Sequence, residues 1–318
     1  MLKVLFICPQ FNGSEIDILN EMEKEYEVTS VIYSEHDIFS IRNFRLNVLR
    51  LFNVITSFMS ISFIYRCREK YTLKYNKLGE RLKLGSNFDI VFVIKGFGLN
   101  YETLKVLKKN NPNARFVFYQ WDSFQIFHST KSILHFFDDV YSFQREDITE
   151  HIKYLPNCHF NHMKKNITKV KPLGLVYIGR FSFYRYFLLK KISKYCQKNN
   201  FQYRFLLISD LGLLSNLKFV SKDRINKCKV AKLYRQYGIV LDIGQKYQSG
   251  VTQRFFEGLS IGCNVITTST DIGSLNISSD YVLTLKEFQS GSRFNSVNME
   301  MPDINEYGVK NWLHKILQ

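Results

Sequence analysis

Short apolar runs alternate with segments of helical period along most of the chain, and each run ends in a polar or glycine-bearing loop. The pattern predicts a strand over Lys3–Cys8, a loop over Pro9–Ser14, a helix from Glu15 to Tyr26 and a second strand over Glu27–Tyr33. Phe88–Lys95 is a nearly continuous apolar strand ending in Gly96-Phe97-Gly98. It is followed by a helical pattern over Tyr101–Asn110 and by strands over Arg115–Gln120 and Val140–Phe143. The stretch Asn157–Lys171 is polar and basic and has no clear period. The alternation then restarts with a strand over Leu173–Ile178, a helix over Tyr186–Asn199, and strands over Gln202–Ile208, Ile239–Ile243 and Cys263–Thr267. Strands and helices in this order predict an α/β chain with parallel sheets covered on both faces. The break divides it into two Rossmann-like halves, 1–160 and 161–318. In such sheets ligands bind beyond the carboxyl ends of the strands, so the expected site is a cleft between the two halves.

One segment departs from the alternation. Asn43–Tyr65 is strongly apolar and carries Arg42, Arg45 and Arg50 on one side and Arg66, Arg68 and Lys70 on the other. The run between Arg50 and Arg66 is shorter than the ~20 residues a spanning helix needs, and Asn and Ser interrupt it. Two readings stand: a core helix pair, or an interfacial amphipathic helix drawn to anionic headgroups by its flanking cations.

Composition narrows the class. With 318 residues, 45% hydrophobic and 15% aromatic, the chain is too long and too apolar for a single small core or a disordered segment. A net charge of +16 admits nucleic acid, an anionic membrane surface or an acidic substrate. No nucleic-acid-binding signature accompanies it, so nucleic acid is not expected as a partner. Six cysteines lie far apart and never as CxxC; Cys8 and Cys263 fall in strand patterns and read as buried free thiols. Cys158-His159-Phe160-Asn161-His162 has no second ligand pair and reads as a loop, not a metal set. Met1-Leu2-Lys3 leads straight into a strand, so the expected compartment is the reducing cytoplasm, with the cations favouring the inner face of the plasma membrane.

The chemistry concentrates between Asp242 and Ser269. A loop, Gln248-Ser249-Gly250-Val251-Thr252, opens onto a helical pattern carrying Arg254 and Glu257, and Gly262 then leads into an apolar strand. Backbone donors at a helix N-terminus hold phosphate, and a carboxylate one turn in accepts from sugar hydroxyls, so the stretch reads as a nucleotide-sugar pocket. Asp242, at the preceding strand's end, either contacts the donor or caps the loop. Gly179-Arg180 ends the first strand of the second half, where Arg180, assisted by Arg185, suits a diphosphate; the alternative is a surface βα loop.

These elements together resemble the donor-binding half of GT-B glycosyltransferases with a group-1-like C-terminal domain. The resemblance rests on Ile178-Gly179-Arg180 and on the run from Gln248 to Gly262. A closer likeness is to bacterial lipopolysaccharide and capsule glycosyltransferases. It is carried by QSGVTQR at Gln248–Arg254, Val93-Ile94-Lys95-Gly96, Tyr119-Gln120-Trp121-Asp122-Ser123, Ser142–Asp147 and Gly179–Tyr186. The resemblance implies two Rossmann-like domains facing across a cleft and glycosyl transfer from a nucleotide sugar to a cell-surface glycan, such as a lipid-linked one. It also implies that Glu257 binds the ribose, that Ser249–Thr252 holds phosphate, and that Gly179, Arg180, Arg185, Gln248 and Arg254 line the donor. Many group-1 enzymes carry a second acid eight positions before the glutamate; Ser249 stands there, which separates this chain from that retaining pattern.

For the catalytic base, Asp122 at a strand end is the first candidate, against a role as N-cap of a helix starting near Ser123. Glu15 and Asp17, at the first βα junction, are further candidates, against ordinary helix-dipole partners. Glu146-Asp147 reads as a helix start and Asp138-Asp139 as a turn before a strand. No metal and no cofactor are expected, the nucleotide sugar being substrate; helix dipole and cations meet the phosphate charge. A non-catalytic glycan- or nucleotide-binding scaffold of an assembly complex is the alternative that Ser249 favours.

Overall fold

The computed structural model describes residues 1–11, 13–33, 87–125, 128–160, 174–209, 214–246, 248–294 and 302–318. The apolar segment 43–65, Cys67 and His162 lie outside the described residues. Two compact units emerge: Met1–Leu155 with Leu313–Gln318, and Pro156–Trp312.

In the first unit, β1 (Lys3–Pro9), β2 (Glu27–Tyr33), β3 (Ile90–Ile94), β4 (Arg115–Gln120), β5 (Asp139–Ser142) and β6 (Lys153–Tyr154) form one sheet. Its order is β2-β1-β3-β4-β5-β6, with every pair parallel. Helices α1 (Ser14–Met22) and α2 (Tyr101–Asn110) connect strands in this unit. All of β3 is buried, as a strand covered on both faces must be. The α1 helix stops four residues short of Tyr26. Its apolar face ends at Met22, and the exposed Glu23, Lys24 and Glu25 beyond have nothing to bury.

In the second unit, β7 (Gly174–Arg180), β8 (Gln202–Ile208), β9 (Val220–Ser221), β10 (Gly238–Asp242), β11 (Asn264–Thr267) and β12 (Val282–Thr284) form the second sheet. It is again wholly parallel, in the order β12-β11-β10-β7-β8-β9. Its helices are α3 (Phe183–Lys198), α4 (Lys227–Tyr237), α5 (Gln253–Ser260), α6 (Leu285–Gln289) and α7 (Val309–Leu317), the last of which runs on into the first unit's residues. Side-chain alternation along the strands makes two cores. Val176, Val240 and Val265 pack with Ala231 and Tyr234 of α4 and Phe255, Phe256 and Leu259 of α5. Leu175, Tyr177, Ile239, Leu241 and Ile266 pack with Tyr186, Leu189, Ile192 and Cys196 of α3 on the other face. Gly258 lets α5 lie close: a Cβ there would sit 3.0 Å from Val240 Cβ.

The expected free thiols Cys8 and Cys263 are buried and unbridged, and burial pushes the Cys263 thiol up to about 12. Cys158 and His159 are buried in a loop that pairs with the segment after Ile304. The His159 N–H donates to Tyr307 O at 2.9 Å, and Val309 N–H returns to His159 O at 3.0 Å. Among the described residues no helix is long and apolar enough to cross a membrane.

Candidate functional site

The chain runs from β7 outward to β8 and β9, then places β10 on the opposite side of β7. That reversal is a topological switch point, and open parallel sheets bind ligands beyond the carboxyl ends of the two strands that flank it. Here those ends carry Gly179-Arg180 on β7 and Asp242 to Gly244 after β10.

Asp242 organises this edge. Its buried carboxylate accepts from Thr252 Oγ1 at 2.6 Å, from Thr267 Oγ1 at 3.0 Å and from the Thr252 N–H at 3.4 Å. Arg254 Nη1 completes the set at 3.3 Å. A carboxylate removed from water needs such partners, and together they tie the start of α5 and the end of β11 to β10. Thr252 is also the N-cap of α5, its Oγ1 accepting from the Arg254 N–H at 3.2 Å. One threonine therefore joins the loop, the helix start and the sheet.

Arg254 reaches back to β7. Its Nε donates to Ile178 O at 3.0 Å, and its guanidinium lies 4.7 Å from the centroid of the Tyr177 ring. Burial alone would lower its pKa, but Tyr177, Tyr234, Asp242 and Glu257 outweigh that and hold it above the ordinary arginine value. Gly179 passes directly over this pair. A Cβ there would fall 2.5 Å from Tyr177 Oη and 2.9 Å from Arg254 Nη2, so any larger residue would have to displace those side chains.

Arg185 staples the same two strand ends from the α3 side. Nη1 donates to Arg180 O at 3.3 Å and Nη2 to Ile243 O at 3.2 Å. Arg180 itself is exposed. In the loop, Gln248 Oε1 accepts from the Gln245 N–H at 2.9 Å, and Ser249 O accepts from Ser269 Oγ. Gly250 is buried, and the following Val251 O accepts from Asn157 Nδ2 at 3.1 Å. Glu257, one turn into α5 and half-buried, accepts from Gln253 Nε2 at 2.8 Å. Gly179, Arg180, Arg185, Ser249, Thr252 and Arg254 are thus held on one sheet edge, with Glu257 on the helix that starts there.

The first unit has its own cluster. Its switch point lies between β1 and β3, and Lys95, directly after β3, ion-pairs with Asp122, two residues after β4, at 2.8 Å. No helix begins at Ser123, so Asp122 is not an N-cap. Lys95 adopts φ 65, a left-handed conformation that costs a non-glycine residue on the order of 1–2 kcal/mol. Its N–H donates to Tyr119 O at 2.9 Å, which fixes it there. Trp121 packs on Phe11 with ring centroids 4.8 Å apart, and Glu15 Oε2 accepts from the Phe11 N–H at 2.9 Å. Glu15 is buried and shapes its own β1–α1 loop; Asp17 is half-buried in the first turn of α1. Asp147 lies in a short 3-10 turn and accepts from Ser142 Oγ at 2.9 Å and the Phe124 N–H at 3.4 Å. Burial raises its pKa despite these bonds.

No protein-family model and no curated protein matches the sequence. Among solved structures, the chain is similar to the glycosyltransferase SnogD from Streptomyces nogalater, at 12% identity over 99% of this chain and 94% of that one, with a TM-score of 0.44. It is similar also to Acinetobacter baumannii MurG, at 9% identity over 92% of this chain and 88% of that one, with a TM-score of 0.41. The fold is α/β, with two parallel six-stranded sheets in two units.

Three features of the site exceed the sequence reading. Asp242 caps the loop, one of its two readings, but its partners Thr252 and Thr267 are not visible in spacing. Lys95 was visible only as part of a short motif; a lysine before glycine at a strand end was its sole signal. Arg185 bonds backbone carbonyls of the two strand ends, a role that spacing alone does not display.

Proposed function

We propose that this chain is a glycosyltransferase whose second unit binds a nucleotide-sugar donor at the β7/β10 switch point. The observation that carries the reading is the Asp242–Thr252 bond, which fixes the 248–252 loop and the N-terminus of α5 to the strand edge where such sheets take ligands. An anchored helix N-terminus supplies positive potential for a diphosphate. Gly179, Arg180, Gln248, Ser249, Gly250 and Thr252 form the donor side, and Glu257 accepts from the ribose. Arg254 and Arg185 act on the donor by holding the loop and strand ends in place.

The first unit takes the acceptor. Asp122, oriented by Lys95, is the group for activating or binding an acceptor hydroxyl, ahead of Glu15 and Asp17. The acceptor is a cell-surface glycan, lipid-linked and presented at the inner face of the plasma membrane, where the +16 charge favours a peripheral position. The donor is a substrate; the reading calls on no metal, no cofactor and no nucleic acid.

A thermal-shift panel of UDP-, GDP-, dTDP-, ADP- and CMP-linked sugars tests the donor reading. Binding to the folded state alone at 100 times Kd adds about 2.7 kcal/mol of stability. A rise in melting temperature with one nucleotide series supports it; no rise with any compound sinks it. Donor turnover lost in Glu257→Ala and Asp122→Ala excludes the scaffold alternative that Ser249 favours.

A further inference from the structure

The α3 helix has two faces of different chemistry. Arg185, Tyr186, Leu189, Ile192, Ser193 and Cys196 are buried against the second sheet. On the opposite side Tyr184, Phe187, Lys191, Lys194 and Lys198 recur at three- and four-residue intervals, and all five are exposed. At 100° per residue they fall on one stripe along the helix. The sequence of α3 holds no acidic residue.

Two observations set this stripe apart from an ordinary solvated face. Tyr184 and Phe187, at 41% and 43% exposure, are the only large apolar side chains standing exposed among the described residues of the second unit. They lie one turn apart. Second, Lys191, Lys194 and Lys198 make no ion pair with any described residue, so their charge is directed outward. Lys190, at the stripe's margin, lies 5.6 Å from the Tyr186 ring centroid and adds a fourth cation.

We infer that this stripe of α3 docks on an anionic lipid bilayer. Aromatic rings prefer the headgroup boundary, where an apolar body and a polar edge are both satisfied, and lysines reach past them to lipid phosphates. Each lysine near an anionic surface favours binding by roughly fivefold. A single-stranded nucleic acid would instead need rings open for stacking along a groove. Here the rings pack on one another on a convex helix: Phe187 lies 6.3 Å from Phe183 and 5.3 Å from Tyr186, centroid to centroid. The inference deepens the peripheral-membrane part of the reading above by naming the surface, and it does not depend on the donor site.

The test is co-sedimentation of the whole chain with phosphatidylcholine vesicles, with and without phosphatidylglycerol. The triple variant Lys191→Glu/Lys194→Glu/Lys198→Glu and the pair Tyr184→Ser/Phe187→Ser are compared with wild type, each checked for an unchanged melting curve. Wild type is expected to bind the phosphatidylglycerol vesicles and to be released by high salt. The triple variant is expected to lose on the order of 100-fold in partitioning, and the aromatic pair to bind more weakly at every salt concentration. If wild type binds and both variants bind equally well, the α3 surface is wrong while membrane association stands. If wild type does not bind, both fall. Salt-dependent binding to a single-stranded oligonucleotide, lost in the triple variant while vesicle binding persists, overturns the lipid assignment in favour of nucleic acid.

Discussion

The hydroxyl of Thr252 donates to the carboxylate of Asp242 at 2.6 Å, and the same oxygen caps α5 by accepting from the Arg254 N–H. One side chain thereby couples the loop proposed to hold phosphate to the end of a buried strand. Thr252→Ala removes a cap worth about 1 kcal/mol and a hydrogen bond to a charged group worth about 1.5–3 kcal/mol. We expect urea unfolding to show a loss of about 2–4 kcal/mol. Thr252→Ser, which keeps the hydroxyl, should lose less than half of that. Equal losses in the two variants would show that the hydroxyl is not what matters.

Asp242 and Arg254 are a buried ion pair, with side-chain exposures of 2% and 13%. Removing one partner of such a pair costs about 3–5 kcal/mol, because the other is left buried and uncompensated. Asp242→Asn and Arg254→Met should each destabilise strongly, and the double variant by clearly less than their sum. Additive losses in a denaturant double-mutant cycle would refute the coupling.

Gly179 owes its place to Tyr177 and Arg254 beneath it. Gly179→Ala should cost about 1–3 kcal/mol from overpacking. Tyr177→Phe removes a buried hydroxyl that has no hydrogen-bond partner among the described residues, and is expected to be neutral or stabilising. In the Tyr177→Phe background the alanine should cost less, since its nearest clash, 2.5 Å to the phenolic oxygen, is gone. Calorimetric melting of the four proteins checks this; an unchanged cost would place the clash elsewhere.

The loops around these residues mark what sequence does and does not display. The parallel sheets were legible because strands buried on both faces are written as continuous apolar runs such as Ile90–Ile94. Their carboxyl ends marked the edge holding Gly179 and Thr252, while the switch points themselves needed the strand order. What stayed hidden depends on side-chain direction at strand ends. Asp122 reads as cap or base, and the pattern does not show that Lys95, at the end of the neighbouring strand, lies beside it. Arg185 reads as an aid to a phosphate ligand or as a loop residue, and the pattern does not show its guanidinium on Arg180 O and Ile243 O. The short strands Lys153–Tyr154 and Val220–Ser221 carry too few residues for any period to register.

Lys95 holds a left-handed backbone at φ 65 and reaches Asp122 from it. Lys95→Ala and Lys95→Gly both delete the ion pair, but only glycine adopts that φ without steric cost. The glycine variant should be more stable than the alanine variant by about 1 kcal/mol in urea. The usual opposite order would show that the conformation is not strained.

Asp147 and Asp139 should respond to pH in opposite senses. Burial raises the Asp147 pKa above its unfolded value, so its contribution is fully present below the unfolded pKa and is lost as pH rises through the folded one. Asp147→Asn keeps an acceptor for Ser142 and Phe124, and should gain stability relative to wild type as pH rises from acid to neutral. For Asp139, burial works upward, but Lys153 at 2.6 Å and Arg115 at 2.7 Å outweigh it and lower the pKa. Its contribution is present above the unfolded pKa and lost as pH falls through the folded one, so Asp139→Asn should converge on wild type in acid. Unfolding free energies against pH for both variants test the two signs together.

A nucleotide-sugar donor at the Asp242–Thr252 edge of the second unit would be held in part by Glu257. Calorimetric titration of the stabilising nucleotide sugar into wild type and into Glu257→Gln, whose melting curve should match wild type, decides whether the donor sits there. Wild type should bind at one site and the variant at least about tenfold more weakly, the loss of roughly one charge-assisted hydrogen bond. Equal affinity in the two proteins, or no binding of any nucleotide sugar to wild type, would contradict that placement.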